Sequence, residues 1–496
     1  MTYNLYWGDI HNHCGISYAF GSLEDAFDRA RDQLDFCSVT PHAFWHDMPD
    51  TPESIRDLCE RGFAKVQRNW GETQKTVEVY NSPGHFITFL SYEWHSATYA
   101  DHCVYYNGSQ GPLLNAGHIK DLQVAVRKHG GLAIPHHIGY ARRARGIDWE
   151  CFEESVSPFV ELYSMHGCSE SDTGPYPMLH VQGPREYRTT AEYGLEQGHK
   201  FGFVASTDIH SGYPGSWGDG RMAVYAEDLT RNAIWDAFLS RRTYAVTGDK
   251  IKADFHVNGA SLGQEITAKG KREVELYVET CDFLNKIEIL KNGNVIRSIT
   301  GDESPAESSE TVKAKIRIEW GWGSKRDVVR WDGNVSLSQG RLASVETCFG
   351  GMHILDPEDP IVYEQKEPLS HKLVSKSDTG CEWYSNTIGN PLARHSSTQA
   401  LILEVEMPVE GQLVLNLNGN HYEHRLDELL QGSSVPFMRG LFSEAVRIHK
   451  AVHESCYTFR DVFSDNEPEN EIDYYRLRVS QKNNQWAWLS PIWVSG

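Results

Sequence analysis

None of the ten cysteines forms a C-x-x-C pair, so neither a thiolate zinc finger nor a disulfide scaffold is indicated. No apolar run approaches the roughly 20 residues that a membrane helix requires. The opening MTYNLYWGDI has no basic or apolar leader pattern, and the expectation is a cytoplasmic protein with no membrane partner. Basic residues are scarce relative to acidic ones, 47 against 68, for a net charge of -21. A protein that neutralises nucleic-acid phosphates normally shows the opposite balance, so nucleic acid is not expected as a partner. There is no G-x-S-x-G elbow, no G-x-x-x-x-G-K-[ST] loop and no strand-linked G-x-G-x-x-G. Serine-hydrolase, nucleotide-driven and nicotinamide chemistry are disfavoured accordingly.

What the chain does have is histidine, 23 in all, most of them before position 211. Its 496 residues are enough for two to three domains. Residues 1–250 alternate apolar runs with helical patterns. Strands are expected at 5–13, 34–42, 85–94, 102–106, 131–137, 159–164 and 201–210, and helices at 22–33, 119–130, 191–200 and 229–241. That alternation predicts a mainly parallel sheet, and seven strands suggest an α/β barrel. Residues 251–496 alternate apolar and polar positions with period two between turn dipeptides such as Asn292-Gly293 and Asn418-Gly419. They read as a mainly antiparallel, sandwich-like β-domain, with a helical insert at 443–455.

The sharpest local feature is Asp9-x-His11-x-His13 at the end of the first strand, matched by Asp208-x-His210 at the end of the last barrel strand. Alternate residues of a strand share a face, so each motif can present two ligands to one ion. His42, Glu93, His136 and His137 also fall at strand ends, where parallel barrels gather their active sites. His102 falls at a strand start and competes with His95 as a ligand. Imidazoles mixed with carboxylates suit Zn²⁺, Mn²⁺ or Fe²⁺. The bland alternative, buried polar groups that merely bond to one another, fits poorly with four ligand-type residues paired on two strands.

The succession G-D-I-H-N-H, V-T-P-H, Y-E-W, H-C-V-Y, I-P-H-H and S-T-D-I-H resembles the polymerase-and-histidinol-phosphatase (PHP) superfamily over residues 5–250, in a branch with a β-rich C-terminal domain. The resemblance implies a distorted seven-stranded β/α barrel with two or three divalent ions at its mouth. It implies that His11, His13 and Asp208 hold a first ion, and that Glu93 bridges to a second held by His102 and His136. It further implies that His42 and His210 belong to a third site. The remaining ligand position of that third site is Ala19, which cannot coordinate, and the family's T-D-H is here Thr40-Pro41-His42, so the third site is absent, weak, or completed by His46 or another neighbour.

Glu161 and His166 read equally as partners that orient ligand imidazoles or as structural residues. Arg142, Arg143 and Arg145 lie in a loop after His136 and are candidates for gripping a substrate anion, although solvated basic loops are commoner. The Gly/Pro-rich stretch 211–220, directly after His210, suggests a shaped lip. Trp320, Trp322 and Trp331 read as sandwich core before they read as a sugar-binding face. The functional expectation is a metal-dependent hydrolase of a small phosphoester, with Asp208, Glu93 and His210 as catalytic residues and Asp208 taking up the proton of the attacking water. Hydrolysis of a carboxylic or carbamate ester or an amide is the alternative. A non-catalytic binding protein with a vestigial metal site is a third. The sequence leaves the oligomeric state open.

Overall fold

Ser22 starts the first helix: its Oγ accepts the N–H of Asp25 at 3.0 Å, while Leu23, Ala26, Phe27 and Ala30 bury one face. The same logic, a capping side chain followed by apolar residues at helical spacing, produces most of the helices expected from the sequence. The computed structural model describes residues 3–178, 183–304, 310–323, 328–354, 369–388, 398–439 and 443–496.

The first half contains strands β1 (Asn4–Asp9), β2 (Phe36–Cys37), β3 (His42–Trp45), β4 (Ile87–Thr88), β5 (Leu90–His95), β6 (His102–Tyr106), β7 (Leu132–Pro135), β8 (Phe159–Ser164), β9 (Gly167–Cys168), β10 (Gly202–Ala205), β11 (Arg221–Ala226) and β12 (Thr243–Val246). Its helices are α1 (Leu23–Arg31), α2 (Glu53–Tyr80), α3 (Ile119–Lys128), α4 (Ala191–Glu196) and α5 (Arg231–Leu239). The strands form three groups, in the orders β4-β2-β1-β11-β12, β3-β5-β6-β7 and β10-β8-β9. Pairing is parallel for β1/β2, β2/β4, β3/β5 and β8/β10, but antiparallel for β1/β11, β5/β6 and β6/β7. The sheet is therefore less parallel than the sequence suggested, because short loops join β5 to β6 and allow a hairpin-like return. Among the described residues no ladder closes the three groups into one ring. The architecture is mixed α/β, rich in sheet and sparing in helix.

Two layers of apolar side chains flank these strands. Ile10, Phe36, Phe89, Cys103, Tyr105, Ile134 and Val204 cluster on one side with α5 residues such as Trp235 and Phe238. Tyr92, Trp94, Val104 and Tyr106 face the other way, toward α1, α2 and α3 residues including Phe27, Trp70 and Leu122. The 28-residue α2 was not anticipated: Gly62 and Gly71 interrupt its propensity, and its buried stripe (Cys59, Val66, Trp70, Thr73, Val77) is thin.

Beyond position 250 the described residues are mostly strand, with short helices at Leu426–Gln431 and Glu454–Tyr457. A six-stranded and a five-stranded antiparallel sheet, built around Thr311–Trp322 and Val329–Leu337, enclose a core that includes Ile316, Trp320, Trp331, Trp383 and Leu415. Trp320 and Trp331 are thus core residues, while Trp322 is exposed. The stretch expected as a helical insert is instead strand at Glu444–Ile448 and Val452–His453, paired to Thr311–Trp322. Only Glu454–Tyr457 is helical. Ladder bonds offered by a neighbouring strand outweigh helical periodicity over so short a run. The final strands return to the first half: Trp486–Leu489 pairs antiparallel with β12, placing Tyr244 opposite Leu489. No helix among the described residues is long and apolar enough to cross a membrane.

Candidate metal centre

Hydrogen bonds carry the β1 end and the β10 end into one another. β1 stops at Asp9, and the segment beyond it is held by Asp208 N–H to His11 O (2.8 Å) and His13 N–H to Ile209 O (2.9 Å). Asp9 is the knot of this seam, not a ligand. Its oxygens accept from Thr207 Oγ1 (2.6 Å), Gly215 N (2.7 Å), Thr207 N (3.2 Å) and His11 N (3.2 Å). Asp208 itself has φ +54°, a left-handed conformation uncommon outside glycine. From that position its Oδ1 lies 2.9 Å from His13 Nε2 and 3.3 Å from His11 Nε2, and its Oδ2 lies 3.0 Å from His166 Nε2.

Glu93, near the end of β5, stands between two groups of histidines. Its Oε1 is 3.0 Å from His136 Nε2 and 3.4 Å from His95 Nδ1. Its Oε2 is 3.4 Å from His42 Nε2 and 3.7 Å from His13 Nε2. His42 and His210 meet Nε2 to Nε2 at 3.2 Å. The ligand atoms of His13, His42 and His210 form one tight group, those of His11, His136, Glu161 and Asp208 another, and those of His11, His13 and Glu93 a third.

Outer partners orient these rings. Glu161 Oε2 accepts from His11 Nδ1 at 2.7 Å, which turns His11 Nε2 inward. Ser17 Oγ lies 3.1 Å from His42 Nδ1 and does the same for that ring. Tyr18 stacks on His42 with ring centres 3.9 Å apart, and the neighbouring Ala19 offers no ligand atom. His46 does not supply one either: the ring is exposed and bonded to Asn115.

Burial dominates the electrostatics. It holds His11, His42, His136 and His210 below the usual imidazole range and His13 at about 4. These rings are therefore neutral at pH 7, the form that binds metal. Burial, then the charges of Asp101 and Asp208, push Glu93 well above the carboxylate range. Burial works against Asp208 too, but His11 and His166, with the His13 and His166 hydrogen bonds, keep it well below.

The fit to metal can be judged from what lacks a partner. His11 Nε2, His13 Nδ1, both nitrogens of His136, His210 Nδ1 and Glu93 Oε2 are buried without a hydrogen bond. Buried polar atoms are normally satisfied, and here a cation answers both the orphaned nitrogens and the crowded carboxyl groups. The donor set, neutral imidazoles with shared carboxylates, fits divalent transition ions.

The structure thus brings together His11, His13, His42, Glu93, His136, Asp208 and His210. It turns His102 away. In the β5/β6/β7 register His102 lies opposite Trp94 and Pro135, its ring packs against Trp94, and its Nδ1 sits 2.9 Å from Ala100 O. Its neighbour Cys103, opposite Glu93, faces the cluster instead. Arg142 and Arg143 are exposed. Arg145 reaches inward, where its Nε donates to Asp101 Oδ2 at 2.8 Å and its Nη2 bonds the same oxygen. Asp101 also faces His95 Nδ1 at 3.0 Å and His137 Nε2 at 3.5 Å. Sequence reasoning missed Asp101; of the two histidines it weighed as ligands the structure puts His95, not His102, beside Glu93, and it gives His166 a direct contact with Asp208. The Y-S-M-H run after β8 was the one available signal for His166.

The lip 211–220 is fastened from the β-domain. Ile354 O accepts from His210 N (3.1 Å), Phe349 O from Trp217 N (3.0 Å) and Ser216 Oγ from Gly351 N (3.1 Å). His353 Nδ1 lies 3.2 Å from Asp219 Oδ1. Nothing in the sequence linked position 350 to position 210.

A protein family of unknown function, DUF3604, matches residues 21–105 and 215–280. An uncharacterised protein of Chlamydia pneumoniae is 24% identical over 261 residues, covering 47% of this chain and 41% of that protein. One from Chlamydia muridarum is 22% identical over 323 residues, covering 60% and 49%. The chain therefore spans less than half the length of these relatives. A two-domain protein from Bacteroides vulgatus, described as containing a predicted PHP-like metal-dependent phosphoesterase, aligns over 58% of this chain and 79% of its own at 15% identity, with a TM-score of 0.34.

Proposed function

We propose that this chain is a metal-dependent hydrolase of small phosphoesters. Residues 1–250 would form a distorted β/α barrel that carries the metals, and residues 251–496 a β-rich domain that braces its lip. The observation that carries the reading is Glu93, whose Oε1 faces His136 and whose Oε2 faces His42, so that its carboxylate would be available to both histidine groups. His11, His13 and Asp208 would hold one ion with Glu93, and His136 a second. His42 and His210 would serve a third position. Divalent ions there supply Lewis acidity, lowering the pKa of a water and neutralising charge on both the attacking and leaving oxygens.

The chain's own groups do the rest. Glu161 fixes the His11 tautomer. Asp208, kept ionised by the hydrogen bonds that His13 and His166 direct at it, would accept the proton of the attacking water at Oδ1 or Oδ2. The leaving oxygen would then be protonated by the proton that Asp208 has taken up, relayed through His210, which is neutral and has no hydrogen bond at Nδ1.

One observation favours the second reading, a carboxylic or carbamate ester or an amide. Arg142 and Arg143 are exposed, Arg145 is already paired with Asp101, and half-buried Tyr18, Trp45 and Phe63 stand beside His42 and His95. Elemental analysis combined with a screen of p-nitrophenyl phosphate, its bis-ester and p-nitrophenyl acetate tests both. Two or more Mn, Fe or Zn per chain with phosphatase turnover supports the first reading. Metal with carboxyl-ester turnover alone moves the assignment to the second. No tight metal and no turnover overturns both in favour of a binding protein.

A further inference from the structure

The residue facing Glu93 across the sheet is a thiol. Glu93 lies opposite Cys103 in the β5/β6 register, and Cys103 lies opposite Ile134, two residues before His136. Cross-strand partners share a face, so Glu93 and Cys103 project to the side that His102 avoids. Cys103 Sγ and one ring nitrogen each of His11 and His136 lie within 4.8 Å of one another, with all three residues about 1% exposed. Both nitrogens of His136, and Nε2 of His11, are without a hydrogen-bond partner. Cys103 is a free cysteine.

We infer that Cys103 is a ligand of the second metal position, so that this position is a mixed thiolate, imidazole and carboxylate site. The inference rests on the metal-centre reading above and sharpens it. His11 stays with the first ion, and the Cys103 Sγ and His136 nitrogen, no more than 4.8 Å apart, have a midpoint at most about 2.4 Å from each, close to ordinary Zn–S and Zn–N bonds of about 2.3 and 2.0 Å. Binding replaces the S–H bond by an S–metal bond, and the proton leaves to solvent. A sulfur donor changes the metal that the site prefers. Soft thiolate favours Zn²⁺, Co²⁺ or Cd²⁺ over Mn²⁺, whereas an imidazole at that place would leave the preference open. His102, the imidazole one residue earlier, is turned to the opposite face.

The test is a Co²⁺ titration of the purified, metal-stripped full-length chain, followed by absorption. Wild type is expected to show a sulfur-to-cobalt charge-transfer band in the near ultraviolet that saturates with one ion. Cys103→Ser and Cys103→Ala are expected to lose that band while keeping the visible bands of the remaining imidazole-bound cobalt. Zn²⁺ affinity at this position should fall by about 10–100-fold in both. Far-ultraviolet circular dichroism checks that the variants fold. Cobalt bound by wild type without the charge-transfer band overturns the thiolate ligand and leaves the metal centre standing. A band that survives in Cys103→Ala does the same. Wild type that binds no cobalt at all overturns the metal centre and this inference with it.

Discussion

Asp208 Oδ1 lies 2.9 Å from His13 Nε2, a contact between residues 195 positions apart. The two-way backbone bonding of 11–13 with 208–209 makes that contact a property of the seam and not of two mobile side chains. The left-handed backbone at Asp208 turns its carboxylate inward, where it serves three imidazoles at once.

Asp208→Asn and His13→Ala should therefore remove metal without unfolding the chain. We expect metal-dependent turnover to fall by about 10³-fold or more, as when a principal electrostatic group of an active site is deleted. Elemental analysis, rates and circular dichroism of each variant check this. Wild-type rates from a metal-depleted variant would sink the mechanism.

Glu161→Gln keeps the size of the side chain but weakens its hold on His11 Nδ1–H. Metal affinity should drop by about 10–100-fold, with little change in the folded state. Competition against a chelator of known affinity measures it. An unchanged affinity would show Glu161 to be structural only.

Asp9 separates ligand from scaffold. Asp9→Ala leaves three buried backbone N–H groups without an acceptor and Thr207 Oγ1 with only its 3.4 Å contact to His11 O, at a cost of about 1–3 kcal/mol for each group that water cannot reach. Denaturant unfolding of the metal-free protein should show a loss of several kcal/mol. A variant as stable as wild type would remove the seam from the account.

A side chain at Gly351 has no room: an added Cβ would stand 2.5 Å from Tyr213 Cβ and 2.7 Å from Ser211 Oγ. Gly351→Val should push the lip away from the β-domain and disturb His210, the residue whose N–H bonds Ile354 O. We expect a stability loss of about 1–3 kcal/mol together with reduced metal content. Thermal unfolding and elemental analysis read the two effects separately. Full metal content in a destabilised variant would mean that the β-domain does not brace the site.

His371 supplies a pH dependence away from the metals. Burial holds it at about 3, with its Nε2–H bonded to Gly350 O and its Nδ1 accepting from Asn386 N–H. The unfolded chain takes up this proton near pH 6.5 and the folded chain only near 3. Stability is thus full above about pH 6.5 and lost as pH falls toward 3, by an amount on the order of 2 kcal/mol at pH 5. Urea unfolding at pH 7.5 and 5 should show a smaller difference in His371→Gln than in wild type. An equal difference in both would assign the acid lability elsewhere.

The sequence by itself determined the elements whose signals are local. Ser22 with the apolar spacing of α1, the period-two strands after position 250, and the spaced ligand types at 11, 13, 208 and 210 all depend on neighbours within a turn or a strand. The helix α2 was hidden because its glycines and thin apolar stripe are rescued only by packing, and 443–455 became strand because Thr311–Trp322 offered it a ladder. Tertiary structure alone decided that Cys103 and not His102 faces Glu93, since a register shift of one residue moves every side chain to the other face of the sheet. It alone brought Asp101 to Arg145, His166 to Asp208, and Phe349–Ile354 to the lip after His210, because these contacts join segments that share no periodicity and meet only when the sheets have packed.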